Sequence, residues 1–404
     1  MQLDIDRLNL KRQFDRAAAA KMLGEMIAID SVNPSLVPGG AGEAAMAAYV
    51  GEVLRAAGCE VTIDEVAPGR HNVVGIRKGK GGGRRLMLVG HLDTVSTAGM
   101  TIDPLKPGFS GDRIYGRGSC DMKGGIASIL LAMQALAAEG CDTAGDVIVA
   151  GVADEEYASI GVEALVGRWH ADAGVIAEPT AGGLVVAHKG FAWIDVDVHG
   201  RAAHGSDFRQ GIDAISHAGH LLAAYDRFHR EVLAAVADGI VTRPSVHASL
   251  VSGGRELSTY PDHCRVSFER RTVPGEARED IDKEVADLID NVRTTVPDFA
   301  ADATISFYRE AYQIDTGEPI VQHLSAAVRE VIGQEPSMGG ASGWMDSAVM
   351  GAAGIPTVIF GPWGEGAHAA VEWVSLASVI GAADVYARLV ESFCGRSGAG
   401  AAQA

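Results

Sequence analysis

Cysteine is scarce and unpatterned in this chain: five residues, at positions 59, 120, 141, 264 and 394, none of them in CxxC spacing. An odd, scattered set argues against a disulfide framework or a structural thiolate site and points to a reducing compartment. Long apolar runs are missing too. The longest nearly apolar stretch, Ile126 to Ala138, falls short of the roughly 20 residues that span a bilayer. The opening MQLDIDRLNLKRQFDR lacks the apolar run of a secretory signal. A soluble cytoplasmic protein is the expectation. Basic residues are in the minority, 34 Lys+Arg against 52 Asp+Glu, for a formal charge of −18. That balance repels phosphate backbones and anionic membranes, which argues against nucleic-acid and membrane partners. No GxSxG nucleophile elbow occurs. The glycine-rich GKGGGRR lacks the GKS/T ending of a phosphate loop and reads as a hairpin turn at Gly81 to Gly83. Cys120 has no base near it in sequence and reads as a small packed side chain.

What is present is a chain of 404 residues, more than one ordinary core organises, so two domains are expected. Four short apolar runs end in polar residues: RLMLVG before His91, DVIVAGVA before Asp154, AGVIA before Glu178 and PTVIFG ahead of His368. They read as buried strands. Helical patterns at Lys123 to Ala138 and Gly161 to Trp169 lie between them, so an α/β domain with a mostly parallel sheet flanked by helices is predicted. In such sheets chemistry gathers beyond the carboxyl ends of the strands. Between about residues 188 and 309 the pattern shifts to period two, with helical stretches at Ile212 to Val236 and Arg278 to Val292. The order β-α-β-β-α-β predicts an inserted ferredoxin-like domain that closes on itself. The expected division is therefore 1–187 and 310–404 for the catalytic domain, with 188–309 inserted. The tail SGAGAAQA reads as disordered.

Five candidate ligands sit at or just after strand ends: His91 in GHLDTV, Asp121 in GRGSCDMKGG, Glu156 in ADEEYAS, Glu178 in AEPT and His368 in GEGAH. Each alone could be an ordinary loop residue or a helix cap. As a set, three carboxylates and two imidazoles suit zinc, cobalt or manganese, and three negative charges plus a hydroxide balance two divalent ions. Asp93, two residues beyond His91, would point the same way on an extended segment and orient the imidazole. Glu155 neighbours Glu156; on an extended segment the two point apart, which leaves Glu155 free to act as general base.

With these motifs the sequence resembles, over nearly its whole length, the acetylornithine deacetylase, succinyl-diaminopimelate desuccinylase, aminoacylase and carboxypeptidase G family of dinuclear zinc hydrolases. The resemblance implies that Asp121 bridges two metals, that His91 and Glu178 complete one, and that Glu156 and His368 complete the other. It also implies a non-proline cis peptide after Asp121. By the same resemblance His204, in GRAAHGSDF, reaches the neighbouring subunit's site in a homodimer and donates to the oxyanion, and Arg271, in ERRTVPG, pairs with the substrate carboxylate. The family's Glu four residues past its last histidine matches Glu372, which is expected to be structural. Two positions depart from the pattern. Ser258 stands where the family usually has Asn, three residues before Pro261, and Met345 stands where it has Thr or Ser before Asp346. Both bear on the substrate rather than on the metals. The implied activity is hydrolysis of an N-acyl amino acid or related amide, with a metallo-carboxypeptidase or dipeptidase as the alternative. A non-catalytic metal-binding scaffold is a more distant one, which the acid at Glu155 disfavours.

Overall fold

A computed structural model describes residues 8–237 and 239–396; the tail SGAGAAQA lies outside them. The chain begins with α1 (Arg16–Ala28), α2 (Ala44–Ala56), β1 (Glu60–Ala67), β2 (Arg70–Arg77) and β3 (Leu86–His91). Short strands β4 (Gly108–Ser110) and β5 (Arg113–Tyr115) follow, then α3 (Gly124–Ala138), β6 (Val147–Val152), α4 (Ile160–Arg168), β7 (Ala173–Ile176) and β8 (Leu184–His188). Next come β9 (Gly190–His199), α5 (Ala214–Arg227), β10 (Ser245–Gly253), β11 (His263–Thr272), α6 (Arg278–Thr295) and β12 (Ala300–Arg309). The chain ends with β13 (Tyr312–Gln313), α7 (Pro319–Ile332), β14 (Met338–Ala341), α8 (Ser347–Ala352), β15 (Thr357–Ile359), β16 (Gly364–Glu365), β17 (Trp373–Ser375) and α9 (Leu376–Phe393). Two compact units result: residues through Val186 with Ile314–Gly339 and Met345 onward, and Ala187–Gln313 with Gly340–Trp344.

The first unit is built on a sheet whose neighbours run β1-β2-β6-β3-β7-β15-β8. At its centre β6, β3, β7 and β15 are parallel. Every residue of these four strands is buried. That is why they read as continuous apolar runs: a strand covered on both faces has no polar side. One face packs Met87, Val89, Ile148 and Ile176 against Val162 and Leu165 of α4 and Met350 of α8, with Met345 resting on the same cluster. The region of Met345 departs from the family pattern by joining this apolar packing. On α3, a Cβ at Gly125 would lie 1.9 Å from the Ala177 carbonyl oxygen, so only glycine lets this helix approach the end of β7 so closely. The glycine-rich loop at 81–83 is not a hairpin turn. β6 lies between β2 and β3, so the loop crosses the start of β6, where Lys80 and Gly81 donate to the carbonyls of Thr143 and Ala144.

The second unit has the order β-α-β-β-α-β, and its antiparallel sheet runs β10-β11-β9-β12. Alternation along the strands sends Ala192, Ile194, Val196 and Val198 of β9 and Cys264, Val266 and Phe268 of β11 into a core with Leu221 of α5 and Ile281 and Leu288 of α6. The amphipathic periods of α5 and α6 supply the other side of that core.

Candidate metal centre

Three of the parallel strands end toward one cluster of side chains in the first unit. His91 is the last residue of β3, Glu178 follows β7, and Glu155 and Glu156 follow β6. Asp121 lies in the loop before α3, where its peptide bond to Met122 is cis, as the resemblance implied. His368 comes from the loop between β16 and β17 and has φ 61. Gly366, two residues earlier, sits so near Val371 that a Cβ would lie 1.9 Å from its carbonyl oxygen.

The five side chains form two groups sharing Asp121: His91, Asp121 and Glu178, and Asp121, Glu156 and His368, with ligand atoms in each within 4.8 Å of one another. His91 Nε2 is 2.9 Å from Asp121 Oδ1 and 3.4 Å from Glu178 Oε1. His368 Nε2 is 3.3 Å from Asp121 Oδ2 and 2.9 Å from Glu156 Oε2. Asp121 thus presents a different oxygen to each group, the disposition a carboxylate needs to bridge two cations. Glu156 Oε1 is buried and has no hydrogen-bond partner among the described residues. A buried carboxylate oxygen left unpaired is costly, and a cation would satisfy it. The donors are imidazole nitrogens and carboxylate oxygens without thiolate, a set that fits zinc, cobalt or manganese.

Charges in the cluster perturb one another. Burial opposes a charge on His91, but the Glu178 and Asp121 carboxylates outweigh it and hold its pKa well above the ordinary value. Bonds to Asp121 and Glu156 carry His368 up to about 10. Asp121 is lowered, its two imidazole partners overcoming burial. Burial and the Asp121 charge push Glu178 up to about 7. Burial also lifts Glu155 well above the usual carboxylate range; His91 opposes this, while Glu178, Asp346 and Glu156 add to it.

The supports around the ligands explain their placement. His91 Nδ1 donates to the main-chain carbonyl of Asp93 at 3.0 Å, while the Asp93 carboxylate is farther, at 3.7 Å. That carboxylate instead accepts from Asn33 Nδ2 at 2.7 Å and from the main-chain N–H groups of Glu155 and Glu156, both at 3.2 Å. Asp93 therefore orients the imidazole through its backbone and the two glutamates through its side chain. The extended Glu155–Glu156 segment expected from sequence is a turn. Asp154 has φ 70 and its carbonyl accepts from Tyr157, Ala158 and Ser159. Asn33 and Arg70 hold the Asp154 side chain at 3.1 and 2.8 Å.

A second support is a buried ion pair, Arg117–Glu372, at 2.7 Å. Glu372 also accepts from the main-chain N–H groups of Gly118, Cys120 and Asp121. Arg117 donates onward to the carbonyls of Ser96 and Ala369. One clamp thus ties the Asp121 loop to the His368 loop. Arg117 and Asn33 were not recognised from sequence. Arg117 lies inside GRGSCDMKGG and could have been suspected there, whereas Asn33 in SVNPS carries no pattern. Cys120 is buried, and burial with the Asp121 charge pushes its thiol pKa up, so it is packed rather than reactive.

The remaining three predicted residues belong to the second unit. His204 is exposed; its Nδ1 lies 2.8 Å from Ser206 Oγ and accepts from the Ser206 N–H. Ser258 is paired to the same loop: His204 bridges Thr259, and Gly205 N donates to the Ser258 carbonyl. Arg271, on β11, contacts Glu269 at 2.8 Å and sits over the ring of Phe191.

Comparison with known proteins agrees with this geometry. An acetylornithine deacetylase from Myxococcus xanthus is 30% identical over 343 residues, covering 82% of this chain and 87% of that protein. An N-formyl-4-amino-5-aminomethyl-2-methylpyrimidine deformylase from Bacillus subtilis is 24% identical, over 82% of this chain and 85% of its own. In fold, a tripeptidase from Staphylococcus aureus superposes with a TM-score of 0.78 at 22% identity, covering 95% of this chain and 100% of that one. A dinuclear metal binding peptidase of the M20 family from Bacillus subtilis gives 0.73 at 16% identity, covering 94% and 98%. The model for peptidase family M20/M25/M40 matches residues 87–392. The chain belongs to that family and is a metal-dependent hydrolase of its deacylase and peptidase class.

Proposed function

We propose that the protein is a dinuclear metal-dependent amidohydrolase that cleaves the amide bond of an N-acyl amino acid or a related small substrate. The observation that carries this reading is Asp121 offering one oxygen to each of two donor groups. His91 and Glu178 would hold one ion and Glu156 and His368 the other, with zinc the proposed metal and cobalt or manganese acceptable to the same donors. When bound, two such ions polarise an amide carbonyl and lower the pKa of water. Glu155 takes the proton of the attacking water and returns it to the leaving nitrogen; its burial beside other carboxylates raises its pKa and so makes it a stronger base. Asp93 keeps Glu155 in place through the main-chain N–H it binds. Arg271 pairs with the substrate carboxylate and Ser258 contributes a weaker substrate contact. His204 donates to the oxyanion in the partner subunit's site, so the working form is a cytoplasmic homodimer.

The deacylase reading leans on the Myxococcus xanthus relative, which is described as an acetylornithine deacetylase. A dipeptidase or carboxypeptidase is the second reading, favoured by the fold neighbour described as a tripeptidase. Both present an amide near a free carboxylate. The test is to assay purified protein against N-acetyl amino acids and dipeptides, with and without chelator. Glu155→Gln should keep both ions by elemental analysis while turnover falls by about 10²–10⁴-fold, whereas His91→Ala should lose metal as well. Equal metal loss in the two variants would remove the base assignment, and inertness of metal-replete protein across both panels would favour a binding scaffold.

A further inference from the structure

The sheet of the second unit has two unlike faces. One, formed by Ala192, Ile194, Val196 and their neighbours, is aliphatic and packs on α5 and α6. The face turned away from those helices is aromatic at one end. There Phe191 and Trp193 of β9 stand beside Phe307 of β12, with centroid separations of 5.6 Å for Phe191–Trp193, 5.7 Å for Phe191–Phe307 and 5.0 Å for Trp193–Phe307. Trp344, from the short segment that rejoins this unit, meets Phe191 edge-on at 6.3 Å. In a chain with only 6% aromatic residues, this is a concentration that general core packing does not require.

Two guanidinium groups lie on the same rings. Arg271 sits 5.1 Å from the Phe191 centroid, and Arg309 sits 4.9 Å from Phe307 and 5.6 Å from Trp344. Guanidinium planes laid on aromatic faces keep their N–H edges in a fixed orientation, the arrangement suited to receiving a planar anion. Glu269 steadies Arg271 from one side through Nη2. Phe191 is buried, and the accessible members of the patch are the Arg271 side chain, 32% exposed, and Trp193, 37%. The patch is an aromatic surface edged by two guanidinium groups, with the chemistry to meet a ligand that carries a carboxylate next to a ring.

We propose that Phe191, Trp193, Phe307 and Trp344, with Arg271 and Arg309, form a specificity platform that selects N-acyl aromatic amino acids. The substrate's ring stacks on Trp193 and Phe307 while its carboxylate pairs with Arg271. This rests on the amidohydrolase reading above and deepens it by naming the side chain preferred. The role proposed for the rings is in binding and should appear in KM.

The test compares kcat and KM of the zinc-supplemented full chain for N-acetyl-L-phenylalanine and N-acetyl-L-alanine. The expected result is a preference for the aromatic substrate that Trp193→Ala and Phe307→Ala each reduce by about 3- to 10-fold, the scale of one ring–ring contact. The loss should fall in KM, with the alanine substrate unaffected. An unchanged preference in both variants would overturn the platform. To separate this from failure of the amidohydrolase reading, calorimetric titration of the Glu155→Gln protein with N-acetyl-L-tryptophan and N-acetylglycine reads binding without turnover. Tighter binding of the tryptophan compound, lost in Trp193→Ala, upholds the platform even if no amide is cut; equal binding of the two compounds overturns it.

Discussion

At the scale of single residues, the imidazoles and carboxylates around Asp121 perturb one another strongly. His91 and His368 both have raised pKa values, His368 to about 10, because each faces two carboxylates. A metal ligand must be a neutral imidazole, so ion binding has to displace these protons. The sign follows: at any pH below about 10 loading releases protons, and affinity weakens as the medium becomes more acidic. Zinc titration of chelator-stripped protein in buffers of different ionisation enthalpy should show that release, and a buffer-independent heat would count against it. The same residues show what could be read from sequence. Polar side chains closing apolar strands made His91 and Glu178 conspicuous, because strand ends are where a parallel sheet exposes its edge. Asn33 was invisible: its role depends on lying between Asp93 and Asp154, distant in the chain, at 2.7 and 3.1 Å.

Among the elements, the loops rather than the strands set the precision of the site. The Arg117–Glu372 pair joins the segment before α3 to the loop carrying His368 through five hydrogen bonds to main-chain groups of Ser96, Gly118, Cys120, Asp121 and Ala369. Glu372→Ala leaves Arg117 and those N–H groups without their acceptor in a buried setting. Loss of one partner of a buried pair costs about 3–5 kcal/mol, and supports of metal ligands typically contribute about 10–100-fold in affinity. Urea unfolding and competitive chelator titration should both register the change; a variant with normal metal affinity would show that the clamp serves stability alone. Elements were also where sequence reading went astray. Strand periodicity continued past Val152 places Glu155 and Glu156 on an extended segment, but Asp154 at φ 70 starts a turn. Aspartate tolerates that conformation better than most residues, and its side chain is held by tertiary partners that local pattern does not reveal. The glycine loop at 81–83 misled for a related reason: a turn between consecutive strands looks alike whether they pair or are separated by β6.

For the whole molecule, the proposed roles divide between the units: the ligand cluster and Glu155 in one, His204 and Arg271 in the other. If His204 serves the partner's site, a hybrid of Glu155→Ala and His204→Ala subunits contains one site with both groups intact. Mixing the two inactive proteins should therefore restore up to about a quarter of native turnover, the share expected if one site in half of the randomly mixed dimers is complete. Absence of recovery despite demonstrated subunit exchange would assign His204 elsewhere.

Sequence by itself determined the alternation of buried strands and helices, the switch to period two in the inserted unit, and the five ligand types at strand ends. These are local properties: burial on two faces, or on one, writes a different polarity pattern into consecutive residues. Only the tertiary structure decided that Asp121 turns a separate oxygen to each imidazole, that Asp93 holds His91 by its carbonyl and the glutamates by its carboxylate, and that four rings and two guanidinium groups share one end of a sheet face. Those relations join residues far apart in the chain, and distances between such residues exist only once the backbone has folded.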